Sequence, residues 1–372
     1  MKKKILIFAT SQLTLESFLL PHIKILKKKY NVIILTKFTS SKKFVIKGTR
    51  IYNINIDRKI NIFNDLKNLI YILSFLKLHK FKLIFTITPK AGLLGMIGAY
   101  LSNIPERIHI FTGQVWSDKK YFSRFILKFF DRLIAKLTTE TLCDSLGQKH
   151  FLKENYFAKK IKVIRYGSVC GVNTNKFKVN IGNKVKLRKK FKIDKDEIIF
   201  LYVGRINKDK GIYNLIKVFK LLEKRNYKIK FFLVGKYEDE ELKSKIKKIK
   251  GIKHINHAKD VSRYYQFADA YITSSYREGF GISVAEAMSS NLPIIGTSIY
   301  GLKDLLKNQK NSLTHDVDDI DKLFLNCKKL IESKKLRQKL GTSGRNYIIK
   351  KFNDKKVVED YLKFFNNKLN NV

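Results

Sequence analysis

Three cysteines are spread over the 372 residues, at Cys143, Cys170 and Cys327, and none forms a CxxC pair. That excludes a disulfide framework and a cysteine-ligated zinc site, and makes a reducing compartment the default. Acidic residues are scarce too: 31 Asp and Glu face 77 Lys and Arg, for a net charge of +46. Long apolar runs are missing. The longest uncharged windows, Ala91 to Pro105 and Ala287 to Leu302, contain Gly and Pro and fall short of the ~18 apolar residues of a membrane-spanning helix. The opening MKKKILIFATSQL mimics a signal peptide, but its apolar run, Ile5 to Ala9, ends at Thr10, Ser11 and Gln12. A cytoplasmic protein is expected.

The charge invites a nucleic-acid reading, which its distribution does not support. Only 13 of the basic residues are Arg, the lysines are scattered rather than blocked, and no nucleic-acid recognition module is present. Lys, Asn and Ile are abundant together, as in proteins of AT-rich genomes, so part of the charge is drift on solvated faces. What remains favours anionic partners of another kind: phosphorylated substrates, or the anionic surface of a membrane.

At this length two domains are the natural prior. ILIFAT (Ile5 to Thr10), NVIILT (Asn31 to Thr36), LIFTIT (Leu83 to Thr88) and RIHIFT (Arg107 to Thr112) read as buried strands, with helical spacing over Leu15 to Lys29, Leu66 to Leu78 and Ala91 to Leu101. The pattern lapses in GSVCGVNTNKF (Gly167 to Phe177) and in the polar stretch Lys178 to Lys190, then resumes. IIFLYVG (Ile198 to Gly204), IKFFLVG (Ile229 to Gly235), AYITSS (Ala270 to Ser275) and LPIIGT (Leu292 to Thr297) are strands. Tyr213 to Glu223 is a helix, another begins at Ala285, and a terminal helix covers Lys355 to Lys368. This alternation predicts an α/β protein of two parallel-sheet domains. Ligands of such domains sit outside the carboxyl ends of the strands, so the chemistry belongs in the loops that follow them.

Two post-strand loops carry it. GRINKDKG (Gly204 to Gly211) places Arg205 and Lys210 on one loop before a helix, an arrangement suited to a phosphate or diphosphate, although a basic turn is by itself often just solvated. YREGFGISVAEAM (Tyr276 to Met288) sets Glu278 and Glu286 about a Gly-Phe-Gly turn. Ser283 reads as an N-cap or first-turn residue, and the amides of Phe280, Gly281 and Ile282 lie near the helix start. Carboxylates beside a phosphate site repel it unless they accept hydrogen bonds from sugar hydroxyls. The plainer alternative makes Glu286 a helix-dipole partner and Glu278 a surface charge.

GRINKDKG followed by EGFGISVAEAM resembles the C-terminal half of family 4 glycosyltransferases, which are retaining enzymes dependent on nucleotide sugars. Its Glu-x7-Glu element matches Glu278 and Glu286, and its Arg and Lys match Arg205 and Lys210. The N-terminal half, through TPKAGLLGMIGAYLSNIPERIHIFTGQVWS, CDSLGQKHFL and YGSVCGVNTNKF, is similar to a subgroup that assembles bacterial surface polysaccharides such as O-antigen and capsule. The resemblance implies a GT-B fold of two Rossmann-like domains facing each other across a cleft. Residues 1–175 would bind acceptor, 176–354 the nucleotide sugar, and the helix 355–372 would pack back toward the N-terminal domain.

By that resemblance Arg205 and Lys210 hold the donor diphosphate and stabilise the leaving charge without a metal or other cofactor. Glu286 binds ribose hydroxyls and Glu278 the transferred sugar, and Gly204, Gly279, Phe280, Gly281, Ile282 and Ser283 complete the donor site. Glu278, Arg205 and Lys210 are the catalytic set, and Lys90, Thr112, Gly113 and Gln114 are assigned to the acceptor side. The implied reaction is hexosyl or N-acetylhexosaminyl transfer from a UDP-sugar to a polyprenyl-diphosphate-linked glycan, at the inner face of the cell membrane. The sequence departs from the family in ATSQLTLES, where many members have a glycine-rich loop, and in lacking a histidine at Thr112; His109 reads as a structural strand residue. Asn173 and Lys236 replace common acidic residues. Asp316 and Asp318 read as helix-capping charges, and His254 and His257 as a strand-end loop. An epimerase on the same fold and a basic nucleic-acid binder are the competing classes.

One further segment stands out. YFSRFILKFFDRLIAKL (Tyr121 to Leu137) has apolar residues at 122, 125, 126, 129, 130, 133, 134 and 137, with Arg124, Lys128, Arg132 and Lys136 opposite. Such a helix either lies in a membrane interface or turns this stripe into the core of its domain.

Overall fold

The computed structural model describes residues 2–38, 45–57, 60–155, 157 and 160–370. It divides into two compact units, Met1–Gly171 with Asp354–Val372, and Val172–Asn353. The division falls at Gly171/Val172 because the Val172 amide donates to the Phe352 carbonyl (2.7 Å) and its side chain joins the core of the second unit.

Among the described residues each unit is built on one six-stranded parallel sheet. The first uses β1 (Lys4–Ala9), β2 (Asn31–Thr36), β3 (Arg50–Asn53), β4 (Leu83–Ile87), β5 (Glu106–Phe111) and β6 (Glu140–Cys143), in the order β3-β2-β1-β4-β5-β6. The second uses β7 (Ile198–Val203), β8 (Ile229–Val234), β9 (Ile252–Ile255), β10 (Ala270–Ile272), β11 (Ile294–Thr297) and β12 (Ser312–His315), in the order β12-β11-β10-β7-β8-β9. The two orders are the same when counted from each unit's first strand. Central strands such as KILIFA and IIFLYV are apolar throughout because helices cover both faces of each sheet, leaving no face for a polar alternation. Each sheet accordingly has two cores, one per face.

The polar stretch over which the strand–helix pattern lapses holds a helix of the second unit, Ile181–Lys190. Asn180 caps it through the Asn183 amide (2.9 Å), Arg188, Lys189 and Lys190 sit favourably in its last turn, and Leu187 is buried. Lys184 and Arg188 then bind the two carboxylate oxygens of Asp269 at 2.6 and 3.1 Å. The terminal helix Asp354–Asn370 buries Val357, Tyr361, Phe365 and Leu369 in the core of the first unit, one residue per turn. Its Lys368 reaches Glu140 at 2.5 Å.

In each sheet the strand order reverses beside the first strand: between β1 and β4 in one unit, between β7 and β10 in the other. Crossovers leave these neighbours on opposite faces, so the loops after them splay apart and open a crevice.

Candidate active site

At the crevice of the second unit the loops after β7 and β10 are laced together. Residues Lys208–Lys210 form one turn of 3-10 helix, closed by Gly211 in the left-handed region (φ 64°). A Cβ there would lie 1.9 Å from the Ser274 carbonyl oxygen, so only glycine lets the two loops touch. The contact carries Lys210 over the second loop, where its Nζ donates to Glu278 Oε1 at 2.6 Å. Ser275 Oγ donates to the same oxygen at 3.0 Å. Both partners are largely withdrawn from solvent, with 15% and 20% of their side-chain surface exposed. A second rung joins Arg277 to Asp209 at 2.6 Å, and a third joins the Tyr276 amide to the Asp209 carbonyl at 3.0 Å.

Arg205 is more exposed. Its guanidinium donates to Glu238 Oε2 (2.8 Å), an oxygen that also accepts from Asn207 Nδ2 (2.9 Å). Glu238 follows β8, the strand beside β7, and the sequence reading passed over it. Attention to the acidic residue nearest Lys236 in that loop would have found it.

Glu278 is held from behind. A Cβ on Gly301 would meet its carbonyl oxygen at 2.0 Å and that of Gly279 at 2.8 Å, so the chain between β11 and β12 buttresses this backbone. Gly281 (φ 80°) then opens the helix Ile282–Ser289 with no side-chain cap. The first amides of that helix have no acceptor within it, which makes its start favourable to an anion. The Phe280 ring is buried against Phe352, 5.0 Å between centroids, and Ile282 packs on the same core, so both side chains anchor the turn that carries these amides. Ser283 lies in the first turn, not at the cap, with its Oγ 3.0 Å from Tyr271 Oη.

Glu286 comes one turn later and accepts from the buried Tyr265 hydroxyl at 2.9 Å. Burial pushes its carboxyl up to about 7 against an ordinary 4.5, partly offset by that hydrogen bond. Three buried tyrosines brace the site: Tyr265 at Glu286, Tyr271 between Val203 and Ser283, and Tyr202, whose hydroxyl donates to the Arg205 carbonyl at 2.9 Å.

The cap of the helix Ile320–Glu332 is neither Asp316 nor Asp318, the aspartates read as caps. Asp319 caps the helix Ile320–Glu332 through the Lys322 amide. Asp318, at φ 62°, instead accepts from Asn214 Nδ2 (2.9 Å) and from the Tyr276 hydroxyl, and so ties the loop after β12 to the loop after β10. His254 lies on β9 with Nε2 2.8 Å from the Gly235 carbonyl oxygen.

In the first unit the loops after β1 and β4 meet through a pair of hydroxyls. Thr88 holds a left-handed backbone (φ 83°) at the start of the helix Pro89–Leu101, and its Oγ1 accepts from the Thr10 hydroxyl at 3.1 Å. Neither threonine was singled out from sequence. Lys90, in the first turn, binds Asp65 at 2.9 Å. Thr112 and Gly113 (φ 103°) are half-buried on the loop after β5, whereas Gln114 is wholly buried and accepts from Gln148 Nε2 at 2.7 Å. Gln114 therefore belongs to the packing of its unit. His109 is buried with Nδ1 2.7 Å from Thr86 Oγ1, and burial lowers its imidazole to about 3, which keeps it neutral.

Residues 183–347 match the family described as glycosyl transferases group 1. The capsular polysaccharide biosynthesis glycosyltransferase CapM of Staphylococcus aureus is 29% identical over 84% of both chains. The UDP-Gal:alpha-D-GlcNAc-diphosphoundecaprenol alpha-1,3-galactosyltransferase of Escherichia coli is 28% identical over 81% of this chain and 79% of its own. The structure of Anabaena HepE in complex with UDP and glucose superposes with a TM-score of 0.81 over 98% of this chain and all of its own, at 16% identity. The chain carries a glycosyltransferase group 1 domain within a two-sheet fold of GT-B type.

Proposed function

We propose that the protein is a retaining glycosyltransferase that moves a hexosyl or N-acetylhexosaminyl unit from a UDP-sugar to a polyprenyl-diphosphate-linked glycan. It would do so at the cytoplasmic face of the membrane during capsule or O-antigen assembly. The observation that carries the reading is the meeting of Lys210 and Glu278 at the β7/β10 crevice, with Arg205 on the same loop. Two cations on one loop suit a diphosphate, and two carboxylates beside them suit hydroxyls. The S. aureus and E. coli relatives, one named for capsular polysaccharide and the other for a diphosphoundecaprenol acceptor, support the pathway and the lipid carrier. The UDP and glucose bound in the HepE structure support the donor.

In this reading Lys210 exchanges Glu278 for a phosphate oxygen when the donor enters, and Glu278 turns to hydroxyls of the transferred sugar. Arg205 leaves Glu238 for the same diphosphate. As the C1–O bond breaks, the charge growing on the leaving phosphate falls between fixed cations, which perform the role a divalent metal plays elsewhere. Glu286, bridged to Tyr265, accepts from the ribose. The acceptor hydroxyl attacks from the face the nucleotide leaves, and its proton passes to the departing phosphate oxygen. No covalent intermediate on the protein is required.

The test is incubation with UDP- and GDP-sugars and an undecaprenyl-diphosphate-linked N-acetylhexosamine, with and without EDTA. The expected product keeps the donor's anomeric configuration and forms at the same rate in EDTA. No transfer from any donor, an inverted product, or sugar isomerisation without an acceptor would each overturn the reading.

A further inference from the structure

The helix Tyr121–Leu137 of the first unit resolves the choice its sequence leaves open in an unexpected way. Its stripe is split. Ile134 is buried in the core, but Tyr121, Phe122, Phe125 and Phe129 are 89%, 75%, 69% and 55% exposed. The exposed line runs on through Arg132 and Lys136 at helical spacing, so aromatic residues occupy one half of it and cations the other. The remaining cations turn elsewhere: Arg124 and Lys128 lie 5.7 and 5.2 Å from the ring centroid of Trp116, on the loop after β5. The buried Asp131 accepts from that same indole at 2.9 Å. These contacts fix the helix rotation and leave the aromatic edge outward.

Two further observations extend the surface. The helices Ile62–His79 and Tyr121–Leu137 both pack against Pro89–Leu101, forming one layer over the sheet. The first of them also exposes Ile62, Phe63, Leu66 and Ile70. Each of these helices runs back against its strands, so both apolar ends lie toward the carboxyl edge of the sheet, the ligand-binding edge of such a fold. Where the cationic half of the stripe ends there is a cavity of about 630 Å³ lined by Arg132, Lys136, Lys160 and Lys162 together with Thr138 and Thr141. Glu140 also lines it, but its carboxylate is engaged by Lys162 (2.9 Å) and Lys368 (2.5 Å).

We propose that this face docks the first unit on an anionic phospholipid bilayer. Phe122, Phe125 and Phe129 enter the interface, Arg132 and Lys136 lie among headgroups, and the cavity takes one lipid phosphate. Charge complementarity selects this occupant. An aromatic stripe ending in cations matches the depth profile of an anionic membrane surface, apolar below and negative above, whereas a buried protein interface excludes charge from its core. No helix among the described residues is long and apolar enough to cross a membrane, so docking is from one side. The proposal deepens the membrane part of the functional reading and stands apart from its chemistry, because docking needs no donor.

The test is co-sedimentation of the full chain, without nucleotide, with vesicles of phosphatidylcholine alone or with 30% phosphatidylglycerol. Transfer to a water-soluble acceptor is followed separately. Wild type is expected to bind the anionic vesicles at least tenfold better. Phe122→Ser/Phe125→Ser/Phe129→Ser should lose at least tenfold and fail to bind at high salt. Arg132→Ala/Lys136→Ala should lose about fivefold per residue and most of the lipid preference. Lys243→Ala/Lys250→Ala, two cations of the second unit, should stay within twofold, and all variants should keep wild-type melting and soluble-acceptor turnover. Binding unchanged in the aromatic variant, or an equal loss in the control pair, would overturn the proposal. So would a wild-type dimer that the aromatic variant dissociates, with no vesicle binding by either.

Discussion

The two units use one strand order twice and fill its crevice with opposite chemistry. In the second, six charged side chains meet as three ion pairs, Arg205 with Glu238, Lys210 with Glu278 and Arg277 with Asp209. In the first, the corresponding place holds a hydroxyl pair, Thr10 with Thr88, and the nearby Lys90 is drawn onto Asp65 on a neighbouring helix. Topology provides the opening; the residues after the first and fourth strands decide what enters it. A charged crevice suits the ionised part of a substrate, and one that holds a hydroxyl pair suits a neutral polyol.

The strongest challenge to that contrast is a pair of lysine variants. Lys210→Ala is expected to lower kcat/KM by about 10²–10³-fold, as loss of a cation facing transition-state charge does. Lys90→Ala should act on folding instead. It strands Asp65 in a poorly exposed site at about 2 kcal/mol, seen as a lower Tm, with kcat/KM within about tenfold. Equal turnover losses in the two would erase the distinction.

A glycine pair sharpens it. Gly301→Ala pushes a methyl group into the Glu278 carbonyl and should cost about 10–100-fold in kcat/KM through misplacement of that loop. Gly92→Ala meets the His109 ring at 2.4 Å, inside the first unit, and should cost about 1–3 kcal/mol of stability with little change in KM.

The mildest comparison is a titration. Each unit buries a carboxyl that burial pushes up to about 7: Glu286, hydrogen-bonded to Tyr265, and Asp131, hydrogen-bonded to Trp116. A raised carboxyl binds its proton more tightly in the native chain than in the unfolded one. Its contribution to stability is therefore complete below the unfolded value, near 4, and is lost as pH rises toward 7. Glu286→Gln and Asp131→Asn should each flatten that slope in denaturant titrations at pH 4 to 8. Donor affinity should rise with pH through about 7, as Glu286 ionises, and only Glu286→Gln should abolish that rise.

Much of the architecture was legible because central strands buried on both faces must be apolar throughout. The strands that escaped, β3 (RIYN), β6 (ETLC), β9 (IKHI) and β12 (SLTH), are the edges of the two sheets. Each is four residues long and carries polar side chains, so no apolar run announces it. The helix Ile181–Lys190 was hidden by its composition, since one buried leucine and a capping asparagine leave little periodicity to read. At the crevice, residue type pointed to Arg205, Lys210, Glu278 and Glu286, but not to their partners. Glu238, Asp209 and Gly301 are distant in sequence from the groups they contact, and only the fold brings them there.

The ion pairs at Arg205 and Lys210 carry one more consequence. A cell is crowded with phosphates and polyanions, and a chain with a surplus of 46 positive charges attracts them indiscriminately. Each of these two cations is already held by its own carboxylate, so an anion gains nothing by arriving alone; it must displace a partner that is held in place. A ligand that supplies hydroxyls for the displaced carboxylates as well as oxygens for the cations restores every bond it breaks. Fidelity in this basic molecule would then reside in its few acids, which make the site an exchange that bare phosphate cannot complete.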